Sequence, residues 1–300
     1  MTPALLALLL ASQAPQPAAD APELTSLAVL RAGDDACGLF NPAQRALLDA
    51  AIARASDDAV LSGADPARLE AALDRQTRVP ACTDPQLDAL YRDHLARIQN
   101  LASFTEIRFA GSAREWTVDR RPARNHAPPR WRVSQASAAT DAIFGLAEVD
   151  GGLKVVLAFN GNTPFSSAVL LARDPDSQSH PVDFTAGGLL PPPGRDGASA
   201  WGASANQNMR FMAQDRLGEP VAASLAPASG EIARGFVFAD QVLAQLAGLT
   251  PREGAAIELR DRSGEVAAVV WFEVGGLQAA LAMQAIPFAE LQPADPAPAP

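Results

Sequence analysis

Lysine is almost missing from this chain: 24 basic residues include a single Lys, Lys154, and no Gly-x-x-x-x-Gly-Lys loop precedes it, so a Walker-type phosphate site is excluded. Gly-x-Gly-x-x-Gly after a strand is also absent, as is Cys-x-x-Cys. The only histidines are His94, His126 and His180, far apart in sequence and outside any His-Glu-x-x-His or Cys/His cluster, which leaves a zinc enzyme without support. His94, next to Asp93, is expected to be a half-exposed surface residue. No later stretch offers the 18 or so consecutive apolar residues of a membrane-spanning helix. With 34 acidic residues the net charge is −10, which excludes a general nucleic-acid binder, since such binding needs clustered positive charge. Neither a cofactor nor a metal is called for.

What is present describes a folding chain with an export address. The apolar share is 48% against 19% charged, enough to build a core over 300 residues, while 25 prolines predict joints and tails. Residues Ala4–Ala11 read ALLALLLA and lead into small and proline-rich residues, the dimensions of a signal-peptide core; a signal peptide is predicted over 1–19 and a linker over 20–36. Residues 290–300 are predicted to be a disordered Pro/Ala tail. The expected location is periplasmic and soluble.

Three Asx-Pro steps, Asn41-Pro42, Asp65-Pro66 and Asp84-Pro85, each set an N-cap residue before a first-turn proline. They predict helices from about Pro42 to Ser62, Pro66 to Arg78 and Pro85 to Ser103, an up-down-up helical domain over 37–104. In that topology the first and third helices start at the same end, so Cys37 and Cys82 come together there. A disulfide between them is expected, the alternatives being a redox pair or two independent thiols.

From 105 to 289 short β-rich runs separated by turn residues predict a second, β-rich domain, a sandwich or bent antiparallel sheet with two short helices near Asp240–Ala247 and Leu277–Gln284. Asp150-Gly151-Gly152 and Ser263-Gly264 mark hairpin turns. The fold class is therefore α+β. Residues 185–208 read as a long loop in which Trp201 is the one large anchor, either docked on the domain or meeting a ligand.

Chemistry is thin. Ser199 and Ser204 each lack the closing glycine of a nucleophile elbow. Asp174, Asp176, Gln178 and His180 have the alternate spacing of a calcium loop, but Ser179 and Thr185 stand where that loop needs glycine and glutamate. The most specific feature is basic: seven arginines against three carboxylates between Glu106 and Arg132 give a local charge of +4. Alternation on the strands sends Trp116, Val118, Trp131 and Val133 to the core. Arg120, Arg121, Arg124, Arg130 and Arg132 are left as a candidate anion-binding strip, able to meet an anionic envelope component. The competing expectation is that they pair with the acidic helical domain.

The segment Ala256–Gln284, with VVWFEVGGLQAALAMQ forming strand, glycine step and helix, resembles the closing segment of the invasion-associated locus B family of exported alphaproteobacterial proteins. The wider plan resembles uncharacterised exported proteins of the same group, which carry no assigned activity. The resemblance implies an envelope address and a β-rich C-terminal half, and it supplies no site residue. The expected function is that of a non-enzymatic periplasmic protein binding an envelope protein or ligand. The alternative is a periplasmic hydrolase with its site under the 185–208 loop. The sequence does not set the oligomeric state.

Overall fold

The computed structural model describes residues 22–76, 81–102, 104–122, 128–137, 140–183, 201–203, 208–228 and 232–286. The 1–19 and 290–300 segments thus lie outside the described residues. The chain begins with four helices, α1 (Pro22–Cys37), α2 (Pro42–Leu61), α3 (Pro66–Gln76) and α4 (Pro85–Ala102). A meander follows: β1 (Glu106–Ala110), β2 (Glu115–Asp119), β3 (Arg130–Ala136), β4 (Ala142–Val149) and β5 (Gly152–Asn160). Next come β6 (Ser167–Arg173), β7 (Val182–Asp183), β8 (Trp201–Gly202), β9 (Asn208–Met212), β10 (Asp215–Arg216) and α5 (Glu219–Leu225). The chain closes with β11 (Ala233–Phe238), α6 (Gln241–Ala247), β12 (Gly254–Arg260), β13 (Val266–Glu273) and α7 (Leu277–Ala285).

The expected α+β class holds, with one addition at its start. Residues 20–36 were expected to be a linker before three helices; from Pro22 onward they form α1, so the helical region has four helices. Leu24, Leu27 and Leu30 give α1 a buried stripe, and Gly33, a poor helix former, sits where α4 presses closest. A Cβ on Gly33 would lie 2.4 Å from Leu87 Cδ1. The helix ends through Gly38, whose left-handed φ of 62° lets its N–H donate back to the Asp34 carbonyl at 2.7 Å. Asn41 then caps α2 in a reciprocal box with Gln44.

The strands form two antiparallel sheets, ordered β1-β2-β3-β4-β5-β11-β10 and β13-β12-β6-β9, with β7 and β8 as a separate ribbon. The Asp150-Gly151 turn has positive φ at both residues, 52° and 77°, and seats Val149 opposite Gly152 in the β4–β5 hairpin. On β5 the alternation resolves both faces: Val155, Leu157 and Phe159 enter the core between the sheets, while Val156 and Ala158 pack under Leu225 of α5. Phe144 of the first sheet meets Phe272 of the second with ring centroids 5.1 Å apart. Trp116, Val118 and Val133 join this core as expected. Trp131 does not, because a register shift between Trp131 and Val133 turns the indole to the opposite face, where its Nε1–H donates to the Leu225 carbonyl at 2.9 Å.

The change from helix to strand near residue 104 is not a break in the core. Ala43, Leu47 and Ile98 belong to the same apolar cluster as the two sheets, and Arg252 donates from its Nε to the Val60 carbonyl at 2.7 Å. Asp57 of α2 carries a second link, accepting the Gly276 N–H at 2.8 Å just before α7. Burial pushes this carboxyl up to about 6, against the opposing effect of the Gly276 hydrogen bond and reinforced by the charge of Asp58. A carboxyl raised above its unfolded value binds more protons in the native state, so it favours folding at low pH, and that contribution is lost as pH rises from about 4 through 6. Asp57→Asn, which keeps an acceptor for Gly276, is therefore expected to remove a downward stability slope of up to about 3 kcal/mol across that window. Urea titrations at a series of pH values would show the slope in the wild type and a flatter profile in the variant.

Candidate functional site

The arginine strip closes on itself. Arg121 grips Asp119 with both prongs, Nε to Oδ1 at 2.9 Å and Nη2 to Oδ2 at 2.6 Å. Arg130 and Arg132 converge on Glu148 at 3.3 and 2.6 Å. They also donate to main-chain carbonyls at residues 121 and 122. Arg120 is buried and points inward, donating to the Leu101 carbonyl. Arg124 lies outside the described residues. The forks of Arg121, Arg130 and Arg132 are thus occupied by carboxylates of the β-region itself, because Asp119 ends β2 and Glu148 lies on β4, the two strands that flank β3.

Other expected features are located as follows. In the turn after β6, Arg173 donates to the carbonyls of Gln178 and Ser179, which points those oxygens at its guanidinium instead of a metal ion. Among the described residues no group of three or more His, Cys, Asp or Glu is placed to hold a metal ion. The backbone of Trp201 pairs with Asp183 in the β7–β8 ribbon, while its side chain, like Ser199, Ser204, His126 and most of 185–208, lies outside the described residues. His180 is exposed.

A cavity lies between α1 and α4. It measures about 340 Å³ and is lined by Leu27, Leu30 and Leu90 below and by Glu23, Asp93 and Arg97 at the mouth, with His94 in its wall. The disulfide fixes one end of both walls. Cys37, the last residue of α1, is joined to Cys82, three residues before α4, with the Cα atoms 5.7 Å apart. The opposite end is bridged by Arg97, which reaches Glu23 of α1 at 3.1 Å and Asp93 of its own helix at 3.0 Å.

His94 is 6% exposed, not half-exposed as its polar neighbours suggest, and its ring stands edge-on to Phe40 at 5.6 Å. Its Nε2 is buried without a hydrogen-bond partner. Burial moves the imidazole below its ordinary range, with the charge of Arg97 in the same direction and Asp93 opposing, so it is neutral at neutral pH. An unpaired buried polar atom is costly in a folded protein and is uncommon without a reason. The sequence carried a signal: His94 stands three and four residues after Tyr91 and Leu90 and four before Ile98, a position on the apolar stripe of α4.

Comparisons with models of protein families, with curated proteins and with solved structures found no match to this chain. No helix among the described residues is long and apolar enough to cross a membrane.

Proposed function

We propose that this is an exported, non-enzymatic binding protein of the periplasm, and that the cleft between α1 and α4 is where it takes a small ligand. The observation that carries the reading is the make-up of the cleft: leucines and the buried His94 line it beside the charged Glu23, Asp93 and Arg97, so a ligand meets apolar contact next to a few polar groups. The disulfide supports the export part, because such bonds persist in oxidising compartments. So does the likeness of Ala256–Gln284 to the closing segment of the invasion-associated locus B family. With both walls tied at one end by a covalent bond and at the other by exposed ion pairs, the cleft has a fixed floor and a mouth that opens at little cost.

A small-fragment screen followed by two-dimensional NMR of the oxidised protein tests the proposal. Perturbed resonances are expected to cluster on Leu27, Leu30, Leu90 and His94. Hits that map elsewhere, or a screen without hits, would overturn it.

A further inference from the structure

We infer that the α1–α4 cleft selects a small apolar molecule carrying one primary ammonium group. The inference rests on the cleft being a ligand site and adds the chemistry of its occupant. The floor of Leu27, Leu30 and Leu90 offers no partner to a polar body, so the part of the ligand that enters must be apolar. Among the described residues the mouth carries two carboxylates, Glu23 and Asp93, against one guanidinium, Arg97, which they share. One negative charge is therefore left over at the rim, on a chain whose net charge is −10. A carboxylate ligand would have to displace one of those acids from Arg97 and remain beside it; an ammonium group gains both acids and disturbs neither helix.

His94 agrees with this sign. A charged imidazole in the wall would repel a cation, whereas burial keeps this one neutral. Ser26, also in the lining, is already committed, its hydroxyl donating to the Pro22 carbonyl at 2.8 Å. Arg97 holds both acids yet leaves a net negative charge at the mouth, and the His94 wall beneath is neutral, a pattern suited to an apolar body that ends in an amine.

Three probes with the same six-carbon chain separate the possibilities: hexylamine, hexanol and hexanoate, titrated calorimetrically into the oxidised chain at neutral pH with the His94 imidazole followed by NMR. Hexylamine is expected to bind about fivefold or more tighter than hexanoate and to move the His94 resonances. In the double variant Glu23→Gln with Asp93→Asn, Arg97 alone of the described lining residues stays charged, and the order is expected to reverse, with hexanoate the tighter ligand. Both replaced residues are exposed, so the fold should survive, which circular dichroism would verify. Equal binding of the three probes with His94 perturbed would overturn the amine preference and leave the cleft as a binding site. No binding of any probe to the folded wild type would remove both. Unchanged hexylamine affinity in the double variant would show that the rim carboxylates do not select.

Discussion

Replacing Cys37 and Cys82 together by serine is expected to lower stability by about 4 kcal/mol, from the chain-entropy value for a disulfide whose cysteines are 45 residues apart in sequence. The native contacts around the bond make the loss local as well as global. Leu27, Leu30, Phe40, Leu48 and Leu87 form a separate small cluster under the staple, and α1 is held by that cluster, by the Asp34 contacts and by the exposed Arg31–Asp49 and Glu23–Arg97 pairs at 2.8 and 3.1 Å. Asp34 is fully buried, accepts the Phe40 N–H at 2.9 Å and pairs with Arg45 at 2.6 Å. Without the bond, amide exchange should accelerate first along α1 and the start of α4, while the sheets keep their protection. Denaturant titration with hydrogen exchange would measure both; uniform acceleration across the sheets would mean that the helical layer is not a separable unit.

The second large effect is expected at Glu253. Its two oxygens meet Nε and Nη2 of Arg173, each at 2.8 Å, with the side chains 0% and 4% exposed, and Oε1 also accepts the Thr250 N–H at 2.9 Å. Arg173 ends β6 and holds the following turn through the Gln178 carbonyl at 2.6 Å, so the pair locks β6, that turn and the approach to β12. Glu253→Ala strands a guanidinium in the core and should cost about 3–5 kcal/mol. Arg173→Met combined with Glu253→Leu removes both charges and should cost less than Glu253→Ala alone, because neither charge is left buried unpaired. Urea midpoints of the three variants decide it: a double variant as unstable as the single would place the value of the pair in its turn contacts, not in its charges.

The Asx-Pro steps read correctly as helix starts because cap and proline act locally, and Asp150-Gly151 read correctly as a hairpin because its backbone needs positive φ at both residues. The disulfide followed from two of those starts. Features decided by distant partners were not legible. Gly33, a poor helix former, is accommodated in α1 because Leu87 occupies the space of its missing side chain, a contact that the 20–36 sequence alone does not announce. The seven-residue α5, with Pro220 in its first turn, carries too little periodicity to announce itself. Trp131 changed faces through a bulge that alternation cannot foresee. The arginine strip was visible as charge, but its neutralisation by Asp119 and Glu148 depended on strand pairing. His94 is the instructive case: its neighbours Asp93 and Arg97 mark a surface, its heptad-like spacing marks a core, and it lies at the boundary between them, in the wall of the cleft.

The claim that joins location, staple and cleft is that this chain works as an exported protein closed by the Cys37–Cys82 bond. Intact mass with thiol labelling of the native protein, recovered from fractionated cells, tests it most directly. A periplasmic species that has lost about 14–19 N-terminal residues and takes up label only after reduction is the expected result. A full-length cytoplasmic species with two reactive thiols would contradict it.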